Sequence, residues 1–417
     1  MKFKRTLIAA SLMAAGTVAA AAPSNEELWK MMQEMQQQMK QVQTQNQQLK
    51  AENADLKNKV EETEQVVEAV VVATEEAATS SLFSSGRTSI GGYGELHYNN
   101  LDDKNGDNDL DRLDFHRFVL FFSHEFDDDL RFWSEFELEH SIAGEDQEGE
   151  VELEQAYIEY DINEQNRVKG GVFLMPVGIL NETHEPDTFY GVERNPVENK
   201  IIPSTWWEGG VMFSGNITNG FAYDLALTSG LDVSKQGAKT SFKIRDGRQK
   251  VGNAQANDLA YTGRLKWTAI PGVELAATLQ YQEDITQGNV VDSEGAVLFE
   301  THAVVQQGAF GLRALYAQWE LDGDAPKVAG YDEQMGWYIE PSYKINKNIG
   351  VFARYSEWDN QAGMSSIDSE FEQIDLGVNW WLHKNVVVKL DYQFQNAESD
   401  SATELEGLNI GLGYQFY

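Results

Sequence analysis

The chain has 417 residues, no cysteine, and 67 Asp and Glu against 32 Lys and Arg, a formal net charge of −35. So acidic a chain does not bind nucleic acid by neutralising phosphates, and without thiols it has no disulfide, thiolate metal site or CxxC redox pair. An exported fold without disulfides needs another way to hold itself together, and a closed hydrogen-bonded barrel is one.

Residues 1–21 read as a secretory leader. Lys2, Lys4 and Arg5 supply the basic start, and Ala19, Ala20 and Ala21 the small residues for cleavage. The apolar stretch from Leu7 to Val18 is shorter than the roughly 20 residues of a membrane helix. Residues 22–72 read as a coiled coil. Ser24 and Glu27 form a capping box, and a heptad follows. Leu28, Met35, Val42, Leu49, Leu56, Thr63 and Val70 hold one seam position, and Met32, Met39, Asn46, Asn53, Val60 and Val67 the other. At 1.5 Å per residue, such a rod reaches about 65–70 Å into the periplasm. Asn46 and Asn53 fix its register. Residues 73–87, small and polar without period, read as a linker.

From residue 88 to 417 the pattern changes to a period of two. Leu408, Ile410, Leu412, Tyr414 and Phe416 alternate with Asn409, Gly411, Gly413 and Gln415. Val273, Leu275, Ala277, Leu279 and Tyr281 alternate with Glu274, Thr278 and Gln280. Ile374, Leu376, Val378, Trp380 and Leu382 form a third such face, and Val386, Val388, Leu390, Tyr392 and Phe394 a fourth. Strands of this kind, apolar toward lipid and polar inward, predict an all-β fold: a transmembrane antiparallel β-barrel of about 16 strands preceded by an α-helical coiled coil. Tight turns are expected at Asp127–Asp128, Asn163–Asn166, Asn216–Asn219, Ile270–Gly272, Asn346–Asn348 and Lys384–Asn385. Long outer loops are expected at Asn99–Asp111, Ser141–Glu150, Ser229–Asn257, Glu283–Gly295, Asp322–Glu333 and Asn360–Ser369.

Strand parity places Arg131, Arg264, Lys266, Arg354 and Lys389 in the lumen, with Glu135, Glu137, Glu139, Glu159, Glu274, Asp375 and Asp391. Charge inside a barrel means water inside, because an uncompensated charge in a dry core is too costly. The connection over about residues 176–206 has no sustained alternation and carries Trp206; it is long and aromatic enough to fold into the lumen as a constriction. Its candidate eyelet residues are Glu182, His184, Glu185, Asp187, Glu193, Arg194, Glu198 and Lys200, acidic on balance. A weak cation preference is therefore expected.

Gly91-Gly92-Tyr93-Gly94-Glu95, Glu154-Gln155-Ala156-Tyr157-Ile158-Glu159-Tyr160 and Gly171-Val172-Phe173 with Pro176-Val177-Gly178 resemble the phosphate-selective porin O and P family. The resemblance implies a trimeric porin with the third loop as constriction. It does not extend to a dense ladder of arginines and lysines, so phosphate selectivity is not carried over.

The expected function is passive diffusion of small hydrophilic solutes and ions across the outer membrane of a Gram-negative bacterium. The expected partners are lipid, lipopolysaccharide and two further copies of the chain. One alternative is a sugar-specific porin with Trp133, Tyr157, Tyr338 and Trp381 as an aromatic slide. Another is an envelope tether, in which the rod binds peptidoglycan. No enzyme motif, cofactor or metal is expected: His97, His116, His124, His140, His184, His302 and His383 show no ligand spacing.

Overall fold

The structure is a computed structural model that describes residues 87–106, 108–142, 149–235, 242–290, 294–364 and 366–417, together with Trp29 and Lys40. The expected leader, coiled coil and linker lie outside the described residues, apart from Trp29 and Lys40, both helical, and Arg87.

A strand with one apolar face still presents two unpaired edges, and closing the sheet removes both. Sixteen strands do so here. They are β1 (Thr88–Asp103), β2 (Leu110–Glu125), β3 (Leu130–Glu139), β4 (Val151–Asn163), β5 (Asn166–Leu174), β6 (Trp207–Asn216), β7 (Phe221–Thr228) and β8 (Ala260–Trp267). β9 (Val273–Gln282), β10 (Ala296–Gln307), β11 (Phe310–Leu321), β12 (Glu333–Lys344), β13 (Ile349–Asp359), β14 (Glu370–His383), β15 (Val386–Ala397) and β16 (Leu405–Phe416) complete the barrel. Every strand pairs with its sequence neighbours, and β16 closes on β1 from Gly92 opposite Phe416 to Asp103 opposite Leu405.

The faces are inverted relative to a soluble barrel. On β9, Leu279 is 58% exposed while Thr278 beside it is fully buried. On β14, Trp380 and Leu382 face outward while Gln373, Asp375 and Asn379 are buried. The sheet thus presents apolar side chains where water would be, the condition for burial in lipid.

Seven connections are tight. In three of them a side-chain oxygen organises the turn: Asp127, Asn163 and Asn346 each accept from the two backbone N–H groups two and three residues on, at 2.8–3.0 Å. The turn at Gly308, where φ is 61°, was not among the expected ones. Neither was the long connection between β15 and β16.

Two long connections pack into one apolar cluster. The first runs from Met175 to Trp206 and contains the short helix α1 (Val197–Lys200). The second, between β7 and β8, was expected as an outer loop. Instead Leu231, Val233, Phe242 and Ile244 are buried against Val197, Ile201, Ile202 and Trp206 of the first, and against Leu298, Leu315, Trp319, Tyr338 and Trp358 of β10 to β13. These four apolar residues fall as two isolated i, i+2 pairs nine residues apart, too short a run to mark a strand, which is why alternation does not reveal the insertion.

Candidate functional site

Most of the expected lumenal charges meet partners across the strands. Arg354 lies 3.2 Å from Glu340 and 2.9 Å from Asp375, all three buried. Arg264 contacts Asp224 at 2.7 Å and also Glu182 of the inserted loop. Arg131 bridges Glu159 and Asp161 at 2.7 and 2.6 Å. Lys266 is 3.8 Å from Glu274, which also contacts His302. Such pairs satisfy charge that the barrel has taken out of bulk water, and removing one member leaves the other uncompensated.

A second group of polar contacts fixes the loop. Glu198 is fully buried; one carboxylate oxygen accepts from the Ile179 and Leu180 amides at 2.6 Å. The other accepts from Asn195 at 3.0 Å and the Tyr338 hydroxyl at 2.9 Å. Asp391 accepts from the Val192 amide at 2.6 Å. His184 lies 3.4 Å from Glu135 and 3.5 Å from Glu154. Burial alone would push its imidazole down, but the two flanking carboxylates raise it to about 10, so it is a cation at neutral pH. Glu193 meets His97 at 3.1 Å and Asn99 at 3.0 Å. Burial opposes its ionisation, yet the His97 charge and hydrogen bond hold its carboxyl well below the usual range.

A third group has no carboxylate partner. Arg194, in the first inserted loop, donates to the Thr205 hydroxyl at 2.7 Å. Its Nε and Nη2 are buried without an acceptor. From the second inserted loop, Arg245 donates to the carbonyls of Asn199 and Ser204 at 2.9 and 3.0 Å, and Arg248 to that of Thr205 at 2.6 Å. Among the described residues no carboxylate stands within ion-pair distance of these three. Burial, then the charges of Arg248 and Arg194, push the Arg245 guanidinium down to about 9; arginine nonetheless remains protonated at neutral pH.

The three arginines line a cavity of about 290 Å³ whose wall also carries Arg117, Lys250 and Phe189, and the carboxylates Glu95, Glu139, Glu150, Glu152, Glu154 and Glu193. A second cavity of about 130 Å³ holds Asp187, Arg313 and Lys344, and Phe189 borders both. Buried Lys389 places its ammonium 3.5 Å above the Phe189 ring, with no hydrogen-bond acceptor among the described residues. Within the strip from Asp187 to Arg194, Asp187, Thr188 and Tyr190 border the smaller cavity, Val192, Glu193 and Arg194 the larger, and Phe189 both.

The expected eyelet residues therefore divide. Asp187, Glu193 and Arg194 border the cavities; Glu182, His184 and Glu198 anchor the loop; Glu185 is half-buried, its carbonyl holding the Thr188 turn; Lys200 is exposed. Parity missed Arg117 because β2 bulges: two residues, Phe115 and His116, stand against Leu96 alone, so Asp114 and Arg117 both turn inward although three residues apart. Arg245 and Arg248 were hidden in a connection expected outside. Their spacing of three across the single turn Ile244–Gly247 was the available signal.

A family model described as phosphate-selective porin O and P matches residues 90–417. A protein of Aquifex aeolicus (strain VF5), described as uncharacterized, is 32% identical over 337 residues, 73% of this chain and 74% of its own. Among solved structures, an anion-selective porin from Comamonas acidovorans superposes with a TM-score of 0.56 at 13% identity, over 79% of this chain and 99% of that one. The outer membrane channel DcaP of Acinetobacter baumannii gives 0.53 at 12%, over 81% and 99%. At these identities the two structures show the fold alone.

Proposed function

The chain belongs to the phosphate-selective porin O and P family, and from that premise we propose that its lumen is a narrow, anion-preferring passage. The protein is an outer-membrane porin, a passive diffusion channel for small hydrophilic solutes and ions. The preference for anions rests on Arg194, Arg245 and Arg248, which carry positive charge into the cavity wall and, among the described residues, form no ion pair, although Glu139, Glu152 and Glu154 line the same cavity. Paired charges largely cancel at the distance of a passing ion, whereas an unpaired guanidinium acts through the whole width of a narrow water-filled path. This reverses the cation preference read from the acidic count of the loop, because Glu182, Glu193 and Glu198 are each already engaged by cations or amide donors.

The aromatic-slide reading gains no support from the geometry. Trp133 packs on Phe121, Tyr157 lies under Lys169, Tyr338 is bonded to Glu198, and Trp381 meets Tyr190. Trp133 and Tyr157 stand opposite each other on β3 and β4, whereas Tyr338 and Trp381 lie on β12 and β14. On the proposed reading the working unit is a homotrimer in lipid and lipopolysaccharide, with the 22–72 coiled coil aligning the three chains. Peptidoglycan tethering is the competing role for that rod, and co-sedimentation with cell-wall sacculi separates the two.

The test of ion preference is the reversal potential of the full-length protein in planar bilayers under a tenfold KCl gradient. The sign for chloride permeation is expected. The sign for potassium permeation overturns the reading.

A further inference from the structure

The β2 bulge has a second effect, at the loop-side end of the same strands. Asp114 and His116 of β2 converge with His140, the residue just after β3. Asp114 Oδ2 lies 2.8 Å from His140 Nδ1 and 3.4 Å from His116 Nδ1, and one donor atom from each residue falls within 4.8 Å of the others. We propose that Asp114, His116 and His140 bind a borderline divalent transition cation of the zinc class in the wall of the larger cavity.

The donor set argues for that class. Two imidazole nitrogens and one carboxylate suit zinc, cobalt or nickel, whereas calcium and magnesium require more oxygens. Tetrahedral ligands at about 2.0–2.1 Å from a metal stand roughly 3.3–3.4 Å apart. The Asp114–His116 separation matches that edge, and it is long for a well-formed hydrogen bond. The residues are also preorganised. The His140 amide donates to the His116 carbonyl at 3.0 Å, and the His97 ring stacks on His116 at 4.6 Å with planes 12° apart. Asp114 is buried, while the His116 and His140 side chains are 26% and 30% exposed and border the cavity, so a hydrated ion has an approach and a fourth ligand position can face water. Arg117, the nearest cation in sequence, is held by Glu95 at 2.7 Å.

The site stands independently of ion preference, and its test does not use conductance. Full-length protein without a histidine tag, folded in detergent, is titrated with Co2+. Visible d–d absorption saturating at one equivalent per chain is expected, and Zn2+ should abolish it. His140→Ala should weaken binding at least tenfold, and His116→Ala with His140→Ala should remove the bands. His124→Ala, which alters a histidine bonded to Thr88 at the other end of the barrel, should leave them intact. Heat-modifiable gel migration confirms that each variant is folded; if the double variant does not fold, His140→Ala alone decides. Absent bands in the wild type, or equal Co2+ affinity in folded His140→Ala, overturn the proposal.

Discussion

Arg354 and Arg245 belong to the same molecule with opposite surroundings. Arg354, on a barrel strand, is held between Glu340 and Asp375 at 3.2 and 2.9 Å. Arg245, on an inserted connection, makes its side-chain hydrogen bonds among the described residues to the Asn199 and Ser204 carbonyls. A guanidinium between two carboxylates is structural: it compensates charge that folding has buried. A guanidinium held by dipoles keeps most of its field for whatever enters the cavity. A formal charge of −35 therefore says little about the ions this barrel admits. What matters is which charges lack a partner along the path.

The largest effect is expected from releasing the loop that carries Arg194. Glu198→Ala removes the acceptor of four hydrogen bonds, two of them to backbone amides, at a cost of about 4 kcal/mol to the seating of the loop. Hydrogen exchange of the 175–206 amides should rise by orders of magnitude while strand amides remain protected, and single-channel conductance should become larger and noisier.

Arg354→Ala tests the structural side. It leaves Glu340 and Asp375 buried and facing each other, which should destabilise the barrel by about 3 kcal/mol, read as a lower urea midpoint for unfolding in detergent. Unchanged stability would mean that this pair is not the compensation described here.

Acidity gives a reversible version of the first test. His184 is raised from 6.5 to about 10 by Glu135 and Glu154. Its contribution is complete below about pH 6.5 and is lost as pH rises through about 10. Open-channel noise should therefore increase between pH 7 and 10.5. In His184→Ala that step should be absent, the noise being high throughout.

The sixteen strands were legible because lipid on one side and water on the other impose a strict period of two. Charges on regular strands were legible for the same reason: Arg264, Arg354, Asp375 and Asp391 all turn inward as their parity requires. Legibility ended where the period did. A single extra residue in β2 moved Arg117, His116 and Asp114 onto one wall, and no local feature of Leu113 to Arg117 announces it. The second inserted loop was lost because burial of Leu231, Val233, Phe242 and Ile244 depends on long-range packing against the first loop and β10 to β13. Pairing was illegible too. Parity puts Arg264 in the lumen, but only the fold brings Glu182 to it.

The smallest energetic effect is the one on ion preference itself. Each unpaired guanidinium is worth about 1 kcal/mol to a chloride ion a few ångströms away in water-like screening, a severalfold factor in permeability. Reversal potentials in a tenfold KCl gradient, measured for the wild type and for Arg245→Ala with Arg248→Ala, read that factor directly. An anion-preferring wild type is expected, and a double variant whose chloride-to-potassium permeability ratio falls at least about thirtyfold, to near or below unity. A double variant that keeps the wild-type ratio would contradict the anion-preferring reading.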